Sequence, residues 1–250
     1  MTAHLARFTD KVALVTGGSR GIGEAIVRRL AAEGAAVAFT YAASADKAQT
    51  LVSQIQSQGG TALAIQADSA DVAAIARAVT TTVAHFGALN ILVNNAGILQ
   101  LGSVDEFSLE DFDRLFAVNV RATFAAAKAV SAVMRNGDRI ISVGSVVAQR
   151  SAFPGSSVYS MTKAAIAGMI RGLAIDFAPR GITVNNVQPG PTSTDMNPAD
   201  APHADLIKSL VPLGRTGTAD EIAGMVAYLA SEEAAFVTGA SLSIDGGYLA

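Results

Sequence analysis

A tyrosine and a lysine four positions apart are the residues in this sequence whose types and spacing best suit proton transfer. If Tyr159 and Lys163 are helical, they share one helix face and lie one turn apart. A free tyrosine has a pKa of about 10 and donates a proton sluggishly near neutral pH. A nearby ammonium group stabilises the phenolate, so we expect Lys163 to lower the pKa of Tyr159 toward the working pH. By itself, such a pair is also typical of an ordinary helix surface.

Ser145 strengthens the case for chemistry at this pair. It lies fourteen residues before Tyr159, at the end of a predicted strand. Its hydroxyl is suited to polarising a carbonyl group and orienting it toward the phenol. The three side chains together predict acid–base chemistry that needs no metal ion.

A glycine-rich turn indicates where a dinucleotide would bind. Gly17, Gly21 and Gly23 follow the first predicted strand, and the chain then enters a helix. Glycines let the backbone approach a pyrophosphate, and the amino end of a helix offers unpaired N–H groups and a positive potential. An ordinary strand–helix turn looks similar, but the place of this turn in the first strand–helix–strand unit favours dinucleotide binding.

Short β-rich runs alternate with helical patterns along the chain, as in the spacing of four between Ile22, Ile26 and Leu30. The predicted strands are Val12–Thr16, Ala36–Tyr41, Ala62–Asp68, Ile91–Asn94, Arg139–Ser145, Thr183–Gln188 and Ser241–Ile244. This alternation predicts an α/β fold in which residues 1–250 form a single dinucleotide-binding and catalytic domain. We expect a Rossmann-type, doubly wound fold with a seven-stranded parallel sheet and helices on both faces.

One segment departs from the alternation. Residues 189–204 contain four of the seven prolines and little periodicity, and they follow the sixth predicted strand. Open α/β sheets bind ligands beyond the carboxyl ends of their strands, so we expect a substrate lid at about 190–215. The alternative is a variable surface loop.

Composition and charge exclude several kinds of partner and of chemistry. With 18 basic and 21 acidic residues the net charge is −3, so nucleic acid and anionic membranes are not expected partners. The chain has no cysteine, which excludes disulfides and thiolate chemistry and suits the cytoplasm, where we expect the protein. The longest uncharged stretch, Ala78–Val104, is broken by polar residues and is not expected to span a membrane.

The histidines do not indicate a metal site. His4, His85 and His203 are dispersed along the chain without the spacing of metal ligands. We expect each of them to be a surface residue.

The order and spacing of the polar motifs resemble the short-chain dehydrogenase/reductase family. Residues 16–23 have the form Thr-Gly-x-x-x-Gly-x-Gly, residues 94–97 match that family's Asn-Asn-Ala-Gly segment, and residues 237–247 are similar to its closing strand. The resemblance implies that Asn119 joins Ser145, Tyr159 and Lys163 in a catalytic tetrad, where its amide holds a water connected to the lysine. A packing role inside a helix is the alternative for Asn119.

The resemblance also implies contacts to a nicotinamide cofactor along the carboxyl edge of the sheet. It implies that Asp68 and Ser69 bind adenine and that Lys163 bonds the ribose hydroxyls. Capping of the next helix is the alternative for Asp68. The expected cofactor-binding residues are Gly17, Ser19, Arg20, Gly21, Ile22, Gly23, Thr40, Tyr41, Ser44, Asp68, Ser69, Asn95, Ala96, Gly97, Tyr159, Lys163, Pro189, Gly190, Thr192 and Thr194.

The residues after the second predicted strand favour NADP(H) over NAD(H). An NAD site places a carboxylate there to accept from the ribose 2′-hydroxyl, but residues 35–45 contain no Asp or Glu. Arg20, beside the turn, is suited to pair a 2′-phosphate, and Thr40, Tyr41 and Ser44 offer hydroxyls. The alternative is that Arg20 is merely solvated and that NAD(H) is used.

The activity implied by the resemblance is hydride transfer between NADPH and a ketone or β-keto ester, with Tyr159 as general acid. The closest likeness is to bacterial 3-oxoacyl-(acyl carrier protein) reductases, which does not define the substrate. Residues expected to shape the pocket are Val146, Val147, Ala148, Phe153 and the lid from Thr192 to His203, in which Asp195, Asn197 and Asp200 could contact a polar substrate.

Assembly and two other functions remain open at this point. Small residues in 164–172 and 123–134 permit close helix packing, and the resemblance implies a homotetramer, or failing that a dimer. Tight packing within one subunit is the alternative. A regulator that binds a nucleotide without turnover is a second possible function. A sugar-nucleotide epimerase or dehydratase is disfavoured because little sequence follows the last predicted strand.

Overall fold

The computed structural model describes residues 6–151, 153–195, 197–198 and 204–250, and within them a parallel sheet organises the chain. The strands are β1 Val12–Val15, β2 Ala36–Tyr41, β3 Thr61–Gln66, β4 Ile91–Asn94, β5 Arg139–Val143, β6 Thr183–Pro189, β7 Thr192–Ser193, β8 Gly217–Thr218 and β9 Ser241–Ile244. The helices are α1 Gly21–Ala32, α2 Ala45–Ser57, α3 Val72–Phe86, α4 Leu109–Phe116, α5 Ala122–Val130, α6 Ser157–Phe177, α7 Ala204–Ser209 and α8 Ala219–Ala230. A π-helical turn, Ala117–Arg121, joins α4 to α5.

Seven of the described strands form one sheet in the order β3-β2-β1-β4-β5-β6-β9, and every pairing is parallel. The strand order reverses between β1 and β4, and open α/β sheets bind ligands in the crevice outside the carboxyl ends of strands at such a reversal. The expected doubly wound α/β fold is therefore confirmed.

Apolar side chains bury both faces of the sheet. On one face, Ile26 and Leu30 of α1 and Val226 of α8 pack on strand residues such as Val15. On the other face, α3, α5 and α6 cover residues such as Leu92. Central strands buried on both faces explain why their sequences are nearly continuous apolar runs.

Strand ends differ from the sequence prediction by one or two residues. The third and fifth strands end at Gln66 and Val143, so Asp68 and Ser145 lie in the loops beyond them. This shift places both side chains beyond the sheet edge, where a ligand can reach them.

The predicted irregular segment contains more structure than its sequence suggests. Strand β7 pairs with the distant β8, Thr192 opposite Gly217, and helix α7 follows at 204–209. These elements are short and depend on tertiary pairing, which local periodicity does not reveal. Residues 199–203, which include Asp200 and His203, lie outside the described residues, as do His4 and residue 196.

Candidate active site

The turn after β1 is held by hydrogen bonds from the loop that follows the neighbouring strand β4. The Thr16 hydroxyl accepts from the backbone N–H groups of Asn95 and Ala96, each at 3.0 Å. The Asn95 amide in turn donates to the carbonyls of Thr16 at 3.0 Å and Gly17 at 2.9 Å. Gly17 has φ +64°, and a Cβ there would lie 2.9 Å from the Ala96 Cα. Asn95, Ala96 and Gly17 therefore fix the shape of the turn.

The amino end of α1 is open toward the crevice. Arg20 is the N-cap residue, is exposed, and makes no side-chain capping bond. Ser19 is buried and Ile22 packs on the core, so this end of the helix is anchored while its first N–H groups have no partner within the helix. Gly21 has φ +55°, and a Cβ there would lie 3.7 Å from the Thr194 side chain. This arrangement fits a pyrophosphate held between the turn and Thr194.

The three hydroxyls predicted near a 2′-phosphate have different positions. Thr40 is 1% exposed, and its hydroxyl accepts from the Gly17 N–H at 3.0 Å, so it supports the turn from behind. Tyr41 and Ser44 are half-buried at the end of β2 and the start of α2. Arg20, Tyr41 and Ser44 remain suited to face a ligand, whereas Thr40 does not.

Asp68 closes a turn beyond β3 and does not cap the next helix. Its Oδ1 accepts from the Ala70 N–H at 2.9 Å, which closes a turn, while Asp71 caps α3. Its Oδ2 pairs with Arg114 at 3.2 Å, and about half of each side chain is exposed. Ser69 is buried beside it. Asp68 is thus held at the sheet edge without being the helix cap.

Asn119 lies in the π-helical turn, not in a regular helix. Its Oδ1 accepts from the Ile98 N–H at 2.9 Å, and its Nδ2 donates to the Ile98 carbonyl at 3.0 Å and to Thr162 Oγ1 at 3.1 Å. A Cβ on Gly97 would lie 3.4 Å from Asn119 Oδ1 and 3.6 Å from Lys163 Nζ. The π-helical turn therefore brings Asn119 and Lys163 to the same glycine.

Ser145, Tyr159 and Lys163 converge as predicted from their spacing. The Tyr159 hydroxyl lies beside Ser145, whose side chain acts to lower the pKa of Tyr159. Lys163 Nζ lies 5.7 Å from the centre of the Tyr159 ring and donates to the Val143 carbonyl at 3.1 Å. Lys163 is 5% exposed. One strand end and one helix face thus form a compact proton-handling group.

The pKa of Tyr159 is raised among these protein groups, whereas the neighbouring lysine predicted that it would be lowered. Burial raises the pKa of Tyr159 to about 12, and the side chain of Ser145 offsets only part of that rise. Burial also lowers the pKa of Lys163 to about 8. Removal from water disfavours the phenolate and the ammonium alike, so desolvation is the main cause of both shifts.

The segment after β6 folds across the amino end of α1. The Gly190 N–H donates to the Ile244 carbonyl at 3.0 Å, and buried Thr192 donates to the Gly190 carbonyl at 2.9 Å. Asp195 pairs with Lys47 of α2 at 3.2 Å. Pro189, Gly190, Thr192 and Thr194 therefore lie together beside the turn, and the segment is tied to α2 as well.

Apolar residues line the side of the site beyond Ser145. Val146 and Val147 are buried, Ala148 is half-buried and Phe153 is 42% exposed. The loop containing Phe153 contacts the loop after β4, because the Gly102 N–H donates to the Gly155 carbonyl at 3.0 Å.

Sequence reasoning missed two contacts in this site. Thr162 holds Asn119 across 43 positions of the sequence, a distance that no local spacing reveals. The Lys47–Asp195 ion pair joins residues 148 positions apart, and no local pattern marks it. Across the described residues, no cluster of metal-ligating side chains is found, and none of the helices is long and apolar enough to cross a membrane.

A dinucleotide crevice beside a Ser–Tyr–Lys group defines an oxidoreductase of the Rossmann class. The family model described as enoyl-(acyl carrier protein) reductase matches residues 17–249. The short-chain dehydrogenase/reductase of Serratia marcescens is 56% identical in sequence, with a TM-score of 0.96 over 98% of this chain and 100% of that one. The chain belongs to the short-chain dehydrogenase/reductase family and is an oxidoreductase, which confirms the predicted family.

Other relatives are similar over nearly the whole chain. A short-chain dehydrogenase of Burkholderia cenocepacia in complex with NADP is 50% identical, with a TM-score of 0.96 over 98% of this chain and 100% of that one. The cyclic-di-GMP-binding biofilm dispersal mediator protein of Escherichia coli is 48% identical over 98% of this chain and 99% of that protein. Elsinochrome reductase 1 of Elsinoe fawcettii is 39% identical over 96% of this chain and 95% of that protein.

Proposed function

We propose that this protein is an NADPH-dependent carbonyl reductase acting on a ketone or β-keto ester or thioester. The observation that carries the proposal is that Ser145 and Tyr159 lie together beside buried Lys163, next to the open amino end of α1. The reductases and the NADP complex among its relatives support the same activity. Residues 1–250 would act as one domain, with residues 190–215 as the substrate lid.

The residues present fit a dinucleotide along the carboxyl edge of the sheet. The backbone of Gly21, Ile22 and Gly23 would hold the pyrophosphate, and Arg20 with Ser44 would pair the 2′-phosphate. Asp68 and Ser69 would hold the adenine, and the segment 189–194 would hold the nicotinamide. When bound, the cofactor supplies the hydride, and its oxidised form supplies a positive charge that favours the phenolate.

Each catalytic side chain then has a separate role. Ser145 Oγ holds the substrate oxygen, and Tyr159 gives that oxygen its proton. Lys163, whose pKa is lowered by burial to about 8, can carry a charge near neutral pH and stabilise the phenolate. Asn119 ties the segment at Ile98 to Thr162, the residue before Lys163 on α6, through its three hydrogen bonds.

Replacing Tyr159 by Phe tests the activity. Without the phenolic proton, turnover of a ketone panel should fall by about 10²–10⁴-fold, because positioned acid–base groups contribute this much. NADPH binding, measured by fluorescence titration, should remain. Tyr228→Phe, a partly exposed tyrosine on α8, is the matched control and should keep full activity. Turnover that survives in Tyr159→Phe would contradict the proposal.

Replacing Arg20 by Ala tests the choice of cofactor. Loss of the guanidinium should weaken NADPH binding about tenfold or more and leave NADH binding nearly unchanged, because only NADPH has the 2′-phosphate. Arg77→Ala on α3 is the control. An equal loss for both cofactors would remove the basis for NADPH.

We also propose that the protein is a cytoplasmic homotetramer. Phe124 of α5 is 52% exposed, and Ile175 and Met161 of α6 are 74% and 43% exposed. Phe116, Val120, Phe124 and Met169 line a groove of about 580 Å³ between these helices. Apolar surface of this kind favours burial against another copy. Phe124→Asp should convert a tetramer into smaller species in light scattering; an unchanged mass would exclude this face.

A nucleotide-binding regulator is the second candidate function. The specific observation in its favour is the 48% identity to the cyclic-di-GMP-binding protein of Escherichia coli. Calorimetric titration with cyclic di-GMP, alone and with saturating NADPH, separates the two candidates. Binding of cyclic di-GMP without turnover of any ketone supports the regulator. Turnover lost in Tyr159→Phe supports the enzyme.

A further inference from the structure

Tyr248 is buried between the loop 146–150, which follows Ser145, and the carboxyl-terminal part of the proposed lid near Val211. It is 5% exposed and packs with Val146 and Val211, which are 3% and 4% exposed. Val146 directly follows Ser145, and Val211 follows helix α7. Tyr248 thus shares one buried apolar cluster with a residue from each wall of the site that would receive the substrate.

Arg150 attaches the other end of the same loop to Tyr248. Its guanidinium lies 5.0 Å from the centre of the Tyr248 ring, and Nη1 donates to the Tyr248 carbonyl at 2.8 Å. The loop 146–150 is therefore held at its first residue by apolar packing and at its last by a cation–π contact and a hydrogen bond.

The turn that contains Tyr248 is itself rigid. Asp245 accepts from the N–H groups of Gly247 at 3.0 Å and Leu249 at 3.1 Å. Gly246 has φ +64°, and a Cβ there would lie 2.7 Å from Val211 Cγ1. A Cβ on Gly190 would lie 2.6 Å from the Asp245 Cα. The 245–250 turn thus touches the start and the end of the 190–213 segment.

We propose that Tyr248 is a positioning residue that sets how the carbonyl substrate lies against Ser145 and Tyr159. The inference rests on the proposed carbonyl reductase function. Because Tyr248 contacts the substrate walls and not the glycine turn, it should govern KM and stereoselectivity and leave NADPH affinity unchanged. The ring carries this role through packing, so Phe should replace Tyr and Ala should not.

Hydrogen exchange tests the positioning without turnover. In Tyr248→Ala, peptides covering 145–150 should exchange at least about fivefold faster than in the wild type, because the loop loses its buried contact. Tyr248→Phe should keep the wild-type rate, and peptides from α1 should not change. An unchanged rate at 145–150 in Tyr248→Ala would overturn the proposal.

Reduction of ethyl 3-oxobutanoate with NADPH tests the consequence for substrate. Tyr248→Ala should raise KM about tenfold and lower the enantiomeric ratio of the alcohol at least about threefold, with the NADPH dissociation constant within about twofold. Tyr248→Phe and the control Tyr228→Ala should match the wild type. A parallel loss of NADPH affinity, or an unchanged KM and ratio, would overturn the proposal.

Failure of the proposed function, and failure of a variant to fold, can each be told apart from failure of this inference. If the wild type reduces no carbonyl compound, the proposed function fails, while hydrogen exchange still decides whether Tyr248 holds the loop. If Tyr248→Ala does not fold, Tyr248→Leu and Arg150→Met replace it, and both should shift KM and the enantiomeric ratio in the same direction by a smaller factor.

Discussion

Helices α1 and α8 have the same length and pack on the same face of the sheet, but only α8 has a capped amino end. Each has twelve residues, and both pack on one face of the sheet. At α8, Thr218 Oγ1 accepts from the Glu221 N–H at 3.2 Å, and Glu221 accepts from the Thr218 N–H at 2.8 Å. At α1, Arg20 makes no capping bond, and Gly21 and Gly23 follow it in the first turn.

The difference separates a structural helix end from one kept for a ligand. A capping box satisfies the first N–H groups of α8 within the chain. The corresponding groups of α1 remain available, with the positive end of the helix dipole and the Arg20 guanidinium beside them. Core packing stabilises α1 without a cap, so its open end can serve an anion.

The largest expected effect comes from filling the space inside the α1 turn. In Gly23→Ala the new Cβ would lie 2.1 Å from the Gly17 carbonyl oxygen and 2.5 Å from Asn95 Nδ2, so the turn must shift. We expect about 3 kcal/mol less stability, and NADPH binding weaker by about 100-fold. Calorimetry and NADPH titration measure both quantities.

The control for this substitution is Gly224→Ala on α8, where the new Cβ would make only an ordinary contact with Arg29 at 3.8 Å. It should stabilise the protein by up to about 1 kcal/mol and leave NADPH binding unchanged. Equal changes in stability and in NADPH binding in the two variants would contradict the difference between the two helix ends.

The second effect comes from giving α1 the kind of cap that α8 has. Arg20→Asp should cap the helix and stabilise the ligand-free protein by about 1 kcal/mol. The carboxylate would repel a phosphate, so NADPH binding should weaken more than in Arg20→Ala, by about tenfold or more. Thermal unfolding and NADPH titration of both variants measure the gain in stability and the loss of affinity. Tighter NADPH binding in Arg20→Asp would contradict the role given to this helix end.

A smaller effect is expected when the α8 cap is removed. Thr218→Ala loses the side-chain acceptor and should lower the free energy of unfolding by about 1 kcal/mol, as measured in urea. NADPH binding should not change, because α8 offers its amino end to no ligand. A loss of NADPH affinity would show that this end also serves the cofactor site.

The smallest effect concerns pH. Hydrogen bonds from Arg215 and Thr218 lower the pKa of Glu221 from 4.5 to about 2. The folded-state pKa is depressed, so this stabilisation is complete above pH 4.5 and is lost as the pH falls toward 2. Urea unfolding at pH 5 and pH 3 should show a smaller acid-induced loss in Glu221→Gln than in the wild type or in the control Glu110→Gln.

The fold, and the meeting of Ser145, Tyr159 and Lys163 at one place in it, were largely predictable because the signals are local. Strand periodicity, glycine spacing and the four-residue interval between Tyr159 and Lys163 each act within one element. The contacts and the pKa shifts of the buried side chains were not predictable in the same way. Thr40 faces the turn because β2 lies beside β1, and the pKa of Tyr159 depends on burial that no spacing encodes.

The π-helical turn at residues 117–121 contains one residue more than regular helical geometry would place there. Each helical residue advances the chain by about 100° around the axis. Deleting one residue from this turn would therefore rotate α4 and everything before it by more than a quarter of a revolution relative to α5. A single codon lost at this point would separate Asn119 from Thr162 while every amino-acid type in the tetrad stayed the same.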